Sequence, residues 1–87
     1  MSFIEGTERF AMDIRTMKYY LAVIREGNIS AAAQSLHVAQ PSLSRQMKEL
    51  EEELHTTLFI RVNRKITLTE EGMILRKRAE EMVLEYK

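Results

Sequence analysis

The stretch from Gln40 to Leu54 constrains the fold more than any other part of the chain. Pro41 stands where proline is tolerated, in the first turn of a helix, and Leu43, Met47, Leu50 and Leu54 then recur at steps of four, three and four, one face of an α-helix. Just upstream, Ser30 can cap a short helix over Ala31–Leu36, whose three alanines give high helix propensity and a small surface that lets another helix approach closely. Only His37-Val38-Ala39 separates the two, so the chain turns sharply between a short helix and a longer one.

The remaining segments fit around this pair. From Ile14 to Glu26, the residues Met17, Tyr20, Leu21 and Ile24 mark another apolar helical face, which Gly27-Asn28 ends because both residue types tolerate the left-handed conformation. Leu58–Val62 and Lys65–Leu68 are rich in β-branched and aromatic residues and flank a polar tip at Asn63-Arg64, which predicts a hairpin. Thr69 then caps a last helix running to Lys87, with Glu70 and Glu71 at the positive end of its dipole. Its stripe, Leu75, Ala79, Met82 and Tyr86, matches the seam of paired helices, and these four are expected to carry dimerisation. The reading is a mainly α fold: an extension over 1–11 with no clean period, a winged helix-turn-helix over 12–68, and a linker or dimerisation helix over 69–87.

Composition narrows the function. Eighty-seven residues make one domain, and a chain this short buries only about 60% of its unfolded surface, so a partner subunit is expected. There is no cysteine, which removes disulfide and Cys-based zinc or redox chemistry, and His37 and His55 are isolated. No apolar run approaches the roughly 20 residues that span a bilayer, and Met1–Glu5 has no basic segment followed by an apolar one, so a soluble cytoplasmic chain without membrane contact is expected. No glycine-rich phosphate loop, metal-spaced cluster or nucleophile beside a base is present; the expectation is a non-enzyme without cofactor or metal.

Thirteen basic and thirteen acidic residues cancel, and the sequence pI of 6.7 counts against nucleic acid. The local pattern points the other way. Residues 40–48 hold Arg45 and Lys48 without an acid, residues 59–66 hold Arg61, Arg64 and Lys65 without one, and the acids gather in Glu49–Glu53 and the last helix.

Helix, short helix, tight turn, longer helix and basic hairpin is the order of a winged helix-turn-helix, which presents a helix to the major groove and a hairpin to the flanking backbone or minor groove. At about 100° per residue, Pro41, Arg45, Lys48 and Glu52 oppose the leucine stripe, so the exposed face of Gln40–Leu54 is basic early and acidic late. If the amino end enters the groove, Gln40, Ser42, Ser44 and Arg45 become the readers, glutamine suiting adenine and arginine the guanine edge. The wing would span Phe59–Leu68. Its charges would equally serve to blunt a strand edge, and an interaction module that dimerises and binds an acidic protein is the alternative function.

These residues closely resemble the amino-terminal domain of LysR-type transcriptional regulators. The resemblance runs from Met12 to about Lys87 and rests on Met12–Tyr20, Gly27-Asn28-Ile29-Ser30 with Ala32-Ala33 and Leu36, Gln40-Pro41-Ser42-Leu43-Ser44-Arg45-Gln46, Leu50–Leu54, Leu58-Phe59 and Leu68–Gly72. It implies sequence-specific binding of double-stranded DNA at a palindrome-like promoter site, regulation of transcription, and a homodimer joined through Thr69–Lys87. It further implies a helix-turn-helix over about Ile29–Lys48, which includes Ser30, with Gln40, Pro41, Ser42, Ser44 and Arg45 facing the groove and Arg61, Asn63 and Arg64 at the wing. Three positions or features depart from it. Ala39 stands where the family usually has a capping serine, His55 replaces a usual glycine, and the two-lobed effector-sensing domain of the family is not expected in a chain of this length.

Overall fold

The computed structural model describes residues 13–86, Tyr86 by its backbone alone; the extension expected over 1–11 lies outside them. The elements are α1 (Ile14–Glu26), α2 (Ile29–Leu36), α3 (Gln40–Leu54), β1 (Phe59–Val62), β2 (Lys65–Leu68) and α4 (Glu70–Tyr86).

Helix boundaries follow the capping chemistry. Asp13 opens α1 by accepting the Thr16 amide at 2.7 Å, and Gly27 closes it in the left-handed region at φ 79°. The second helix begins earlier than expected. Asn28, in extended backbone, accepts the Ala31 amide at 2.7 Å, so it caps α2 and Ser30 falls inside the first turn. Asparagine caps at least as well as serine, and the earlier start puts Ile29, Ala32 and Ala33 on one buried face. The expected cap at Ser30 is thereby corrected, as is the role of Asn28 in ending α1. Both α2 and α3 end on a histidine held left-handed, His37 at φ 60° and His55 at φ 55°, a conformation that glycine adopts more easily. Ala39 precedes α3 without any side-chain cap.

The core gathers Met17, Tyr20, Val23, Leu43, Met47, Leu50 and Leu58, all fully buried. Leu54, expected in the α3 stripe, is half-buried at its edge. α4 lies along α1 and closes the core with Leu75 and Ala79. The hairpin pairs antiparallel, Phe59 with Leu68 through Val62 with Lys65, across a two-residue turn. Leu58, expected as the first strand residue, sits before the ladder: its amide and that of Phe59 both donate to Glu51 Oε2, at 2.8 and 3.1 Å.

Three further contacts fix the hairpin. The Ile66 amide donates to the Gly27 carbonyl at 2.8 Å, tying β2 to the turn between α1 and α2. Thr69 caps α4 by accepting the Gly72 amide at 3.0 Å, and its hydroxyl donates to the Thr57 carbonyl at 2.6 Å. Gly72 itself packs so tightly that a Cβ would run into the Leu58 carbonyl and the Leu68 side chain.

Candidate nucleic-acid interface

The buried stripe decides which side of α3 faces solvent. With Leu43, Met47 and Leu50 fully buried, Gln40, Pro41, Arg45 and Lys48 are exposed on the opposite side, while Ser42 and Ser44 are half-buried on its flanks. The first backbone amides of α3 have no side-chain cap, and this polar face begins beside them.

The wing is held next to that face. Because strand side chains alternate, Phe59 and Arg61 share the inner side of β1 with Ile66 opposite, whereas Ile60, Val62, Lys65 and Thr67 take the outer side. Phe59 packs its ring on Tyr20 at 5.5 Å between centroids, and the Arg61 guanidinium lies 5.7 Å over the Phe59 ring. That stacking aims Arg61 inward, and it agrees with the weak hydration of guanidinium on aromatic faces. Asn63 and Arg64 form the tip, both with positive φ (51° and 72°), the pattern of a type I′ turn. An arginine in the left-handed region costs about 1–2 kcal/mol over glycine, so the cation at the tip stands against local conformational preference.

Between α3, the start of α2 and the wing lies an open cleft of about 580 Å³, lined by Asn28, Ile29, Ser30, Gln40, Ser44, Arg61, Arg64 and Ile66. Five of these, Ser30, Gln40, Ser44, Arg61 and Arg64, are residues that the sequence singled out. At its mouth the Ser30 hydroxyl donates to Gln40 Oε1 at 3.0 Å. Pro41, Arg45 and Lys48 extend the same exposed side of α3 beyond the cleft, Asn63 stands at the wing tip, and Lys65 falls on the outer side of the hairpin. Among the described residues no carboxylate pairs with Arg45, Lys48, Arg61, Arg64 or Lys65; the one close ion pair there joins Arg25 and Glu26 on α1. The unpaired cations of α3 and the wing give a local positive field that the zero net charge conceals.

Sequence reasoning missed Asn28, Ile29 and Ile66 as cleft-lining residues. The Asn-Ile-Ser order carried a usable signal for the first, since asparagine two places before a helical serine competes as the cap. The contact of Ile66 depends on the β2-to-Gly27 hydrogen bond, which joins residues far apart in sequence.

One expectation is corrected. Leu75 and Ala79 are 8% and 0% exposed, packed in the chain's own core against α1, and offer no surface to a second copy. Met82 is half-buried against the same core, and the Tyr86 side chain lies outside the description. The helical seam is real, but its partner is α1. The apolar residues that α4 leaves exposed are Met73 (54%), Ile74 (64%) and Leu84 (71%).

A helix-turn-helix whose second helix shows a polar face beside a basic two-stranded wing defines a winged helix-turn-helix domain of the DNA-binding type. The model of the bacterial regulatory helix-turn-helix proteins of the lysR family matches residues 14–73. This chain belongs to the LysR family. It is 49% identical over 73 residues to the transcriptional regulator BsdA of Bacillus subtilis, covering 83% of this chain and 25% of BsdA. To ClcR of Pseudomonas putida it is 46% identical over 61 residues, 70% of this chain and 21% of ClcR. The chain thus spans about a quarter or less of these relatives. Among solved structures, the CbnR DNA-binding domain in complex with DNA superposes with a TM-score of 0.82 at 40% identity, covering 86% of each chain. The BenM DNA-binding domain bound to benA site 1 DNA gives 0.81 at 37% identity, covering 86% of this chain and 87% of that one. No helix among the described residues is long and apolar enough to cross a membrane.

Proposed function

We propose that this chain is the DNA-reading part of a transcription regulator: the first turns of α3 enter the major groove and the wing lies on the flanking backbone or minor groove. The observation that carries this reading is the cleft in which Gln40 and Ser44 of α3 meet Arg61 and Arg64 of the wing, with Arg45 and Lys48 exposed beside it and unpaired. Gln40, Ser44 and Arg45 then contact base edges, while Ser42, Lys48, Arg61, Asn63 and Arg64 position the domain on phosphates. Lys65, on the outer strand face, adds to the field without entering the cleft. The chain performs no chemistry in this reading, and its place of action is the cytoplasm, where the promoter is.

A second copy completes the reader, since one recognition helix addresses only a half-site. Two domains related by a two-fold axis would read half-sites about 34 Å, one helical turn, apart or a multiple of it. Met73 and Leu84 fall roughly opposite Leu75 around α4, with Ile74 about 100° from it, and this outward face supports an isologous contact better than the buried stripe does.

Selection of bound duplexes from a random pool tests the proposal. An inverted repeat should be enriched by the chain and lost with Arg45→Ala, and affinity should fall steeply as salt rises. Binding of scrambled and selected DNA alike would instead favour an acidic protein partner.

A further inference from the structure

We propose that Ser30 is a positioning residue for base recognition: its hydroxyl fixes the Gln40 side-chain amide so that the amide meets the duplex through its amino group, favouring guanine or thymine over adenine. The inference rests on α3 being the groove-entering helix.

Ser30 sits in the first turn of α2 and Gln40 begins α3, ten residues later, so the bond between them spans the helix-turn-helix at its DNA-facing mouth. Both residues are exposed, and among the described residues this is the one hydrogen bond that either side chain makes. Ser30 is available for it because Asn28 caps α2 instead. Both residues line the cleft with Ser44, Arg61 and Arg64, so the orientation of the amide matters at the surface that DNA would occupy.

The chemistry follows from what an amide can offer. A free glutamine reads adenine with both ends at once, its carbonyl accepting from N6 and its amino group donating to N7. Holding the carbonyl toward α2 withdraws the acceptor from that pairing and leaves two N–H donors facing outward. Guanine presents N7 and O6, and thymine O4, all acceptors, so these bases fit a donor edge. A side chain already fixed in place also loses less rotamer freedom on binding.

The test uses the 87-residue chain with Ser30→Ala, Ser30→Thr and Gln40→Ala. Gln40→Ala locates the base position it reads, as the one whose preference flattens. There the parent should favour guanine or thymine over adenine by roughly tenfold. Ser30→Ala should cut that ratio severalfold at this position alone, and Ser30→Thr should keep it. Without DNA, the NMR order parameter of the Gln40 side-chain nitrogen should drop in Ser30→Ala. A parent preferring adenine, a uniform affinity loss in Ser30→Ala as for a phosphate contact, or an unchanged Gln40 order parameter would each overturn the proposal. A parent that selects no sequence would sink the reading of α3 instead, and the order parameter would still decide whether the clamp exists.

Discussion

Tyr20 donates its phenolic hydrogen to the carbonyl of Gly72 at 2.7 Å, joining the middle of α1 to the first turn of α4 across 52 residues of chain. The ring is fully buried and packs on Phe59 at the wing root. One side chain therefore ties together three elements, α1, α4 and the root of the hairpin.

Replacing Tyr20 by phenylalanine leaves the Gly72 carbonyl without this donor and should cost about 1–3 kcal/mol, read by urea denaturation. The loss should depend on pH. Burial pushes the Tyr20 phenol well above its ordinary value of 10.0, so the folded state keeps its proton where the unfolded state releases it. The stabilisation is complete below pH 10 and declines as pH rises beyond it, so the difference between parent and Tyr20→Phe should shrink above pH 10. A difference that grows there would contradict the buried, protonated phenol.

Glu51 holds the hairpin in register with α3 by accepting two consecutive amides, those of Leu58 and Phe59. Glu51→Ala should destabilise the domain by about 1–3 kcal/mol, and Glu51→Gln by less because one acceptor oxygen remains. Hydrogen exchange should accelerate at the Leu58 and Phe59 amides in both variants. With the wing on the DNA backbone as proposed, DNA affinity should fall for all sequences alike; unchanged exchange at these two amides would refute the role.

Ala39 has the extended backbone of a helix cap (φ −69°, ψ 136°) and no side chain to fill the role. Ala39→Ser should stabilise the domain by about 1 kcal/mol, which for this size raises Tm by roughly 4–8 °C. A thermal melt showing no gain would mean that the orphan amides at the start of α3 are already satisfied by solvent.

In the proposed dimer, the two faces of α4 divide the work, the outward one for association and the buried one for folding. Ile74→Glu with Leu84→Glu should shift sedimentation from dimer to monomer while leaving the melting temperature of the monomer nearly unchanged. Leu75→Ala, in the core, should instead cost about 2–5 kcal/mol. Dimers persisting with both glutamates in place would move the contact elsewhere.

Local rules account for much of what the sequence alone revealed. Period fixed the helices, because an apolar face must be buried, and the Leu43, Met47, Leu50 stripe determined in advance which side of α3 would carry Arg45 and Lys48. Capping residues fixed most boundaries, as at Gly27 and Thr69, and the lack of one at Ala39 was equally plain. Where two capping residues lay close together, the local rule was ambiguous, and Asn28 prevailed over Ser30 once burial of Ile29 was included.

Tertiary structure alone decided what each exposed or buried stripe was for. The stripe Leu75, Ala79, Met82 was visible as a seam, but nothing along the chain says whether a seam meets another copy or another helix of the same chain; packing against α1 settled that for Leu75 and Ala79. Likewise, Arg61 and Arg64 come close to Ser30 and Gln40 because contacts between distant residues, such as the Ile66 amide on the Gly27 carbonyl, hold the hairpin against the helix-turn-helix. Periodicity is a property of neighbours in sequence, whereas a binding surface is made by side chains that only the closed core brings together.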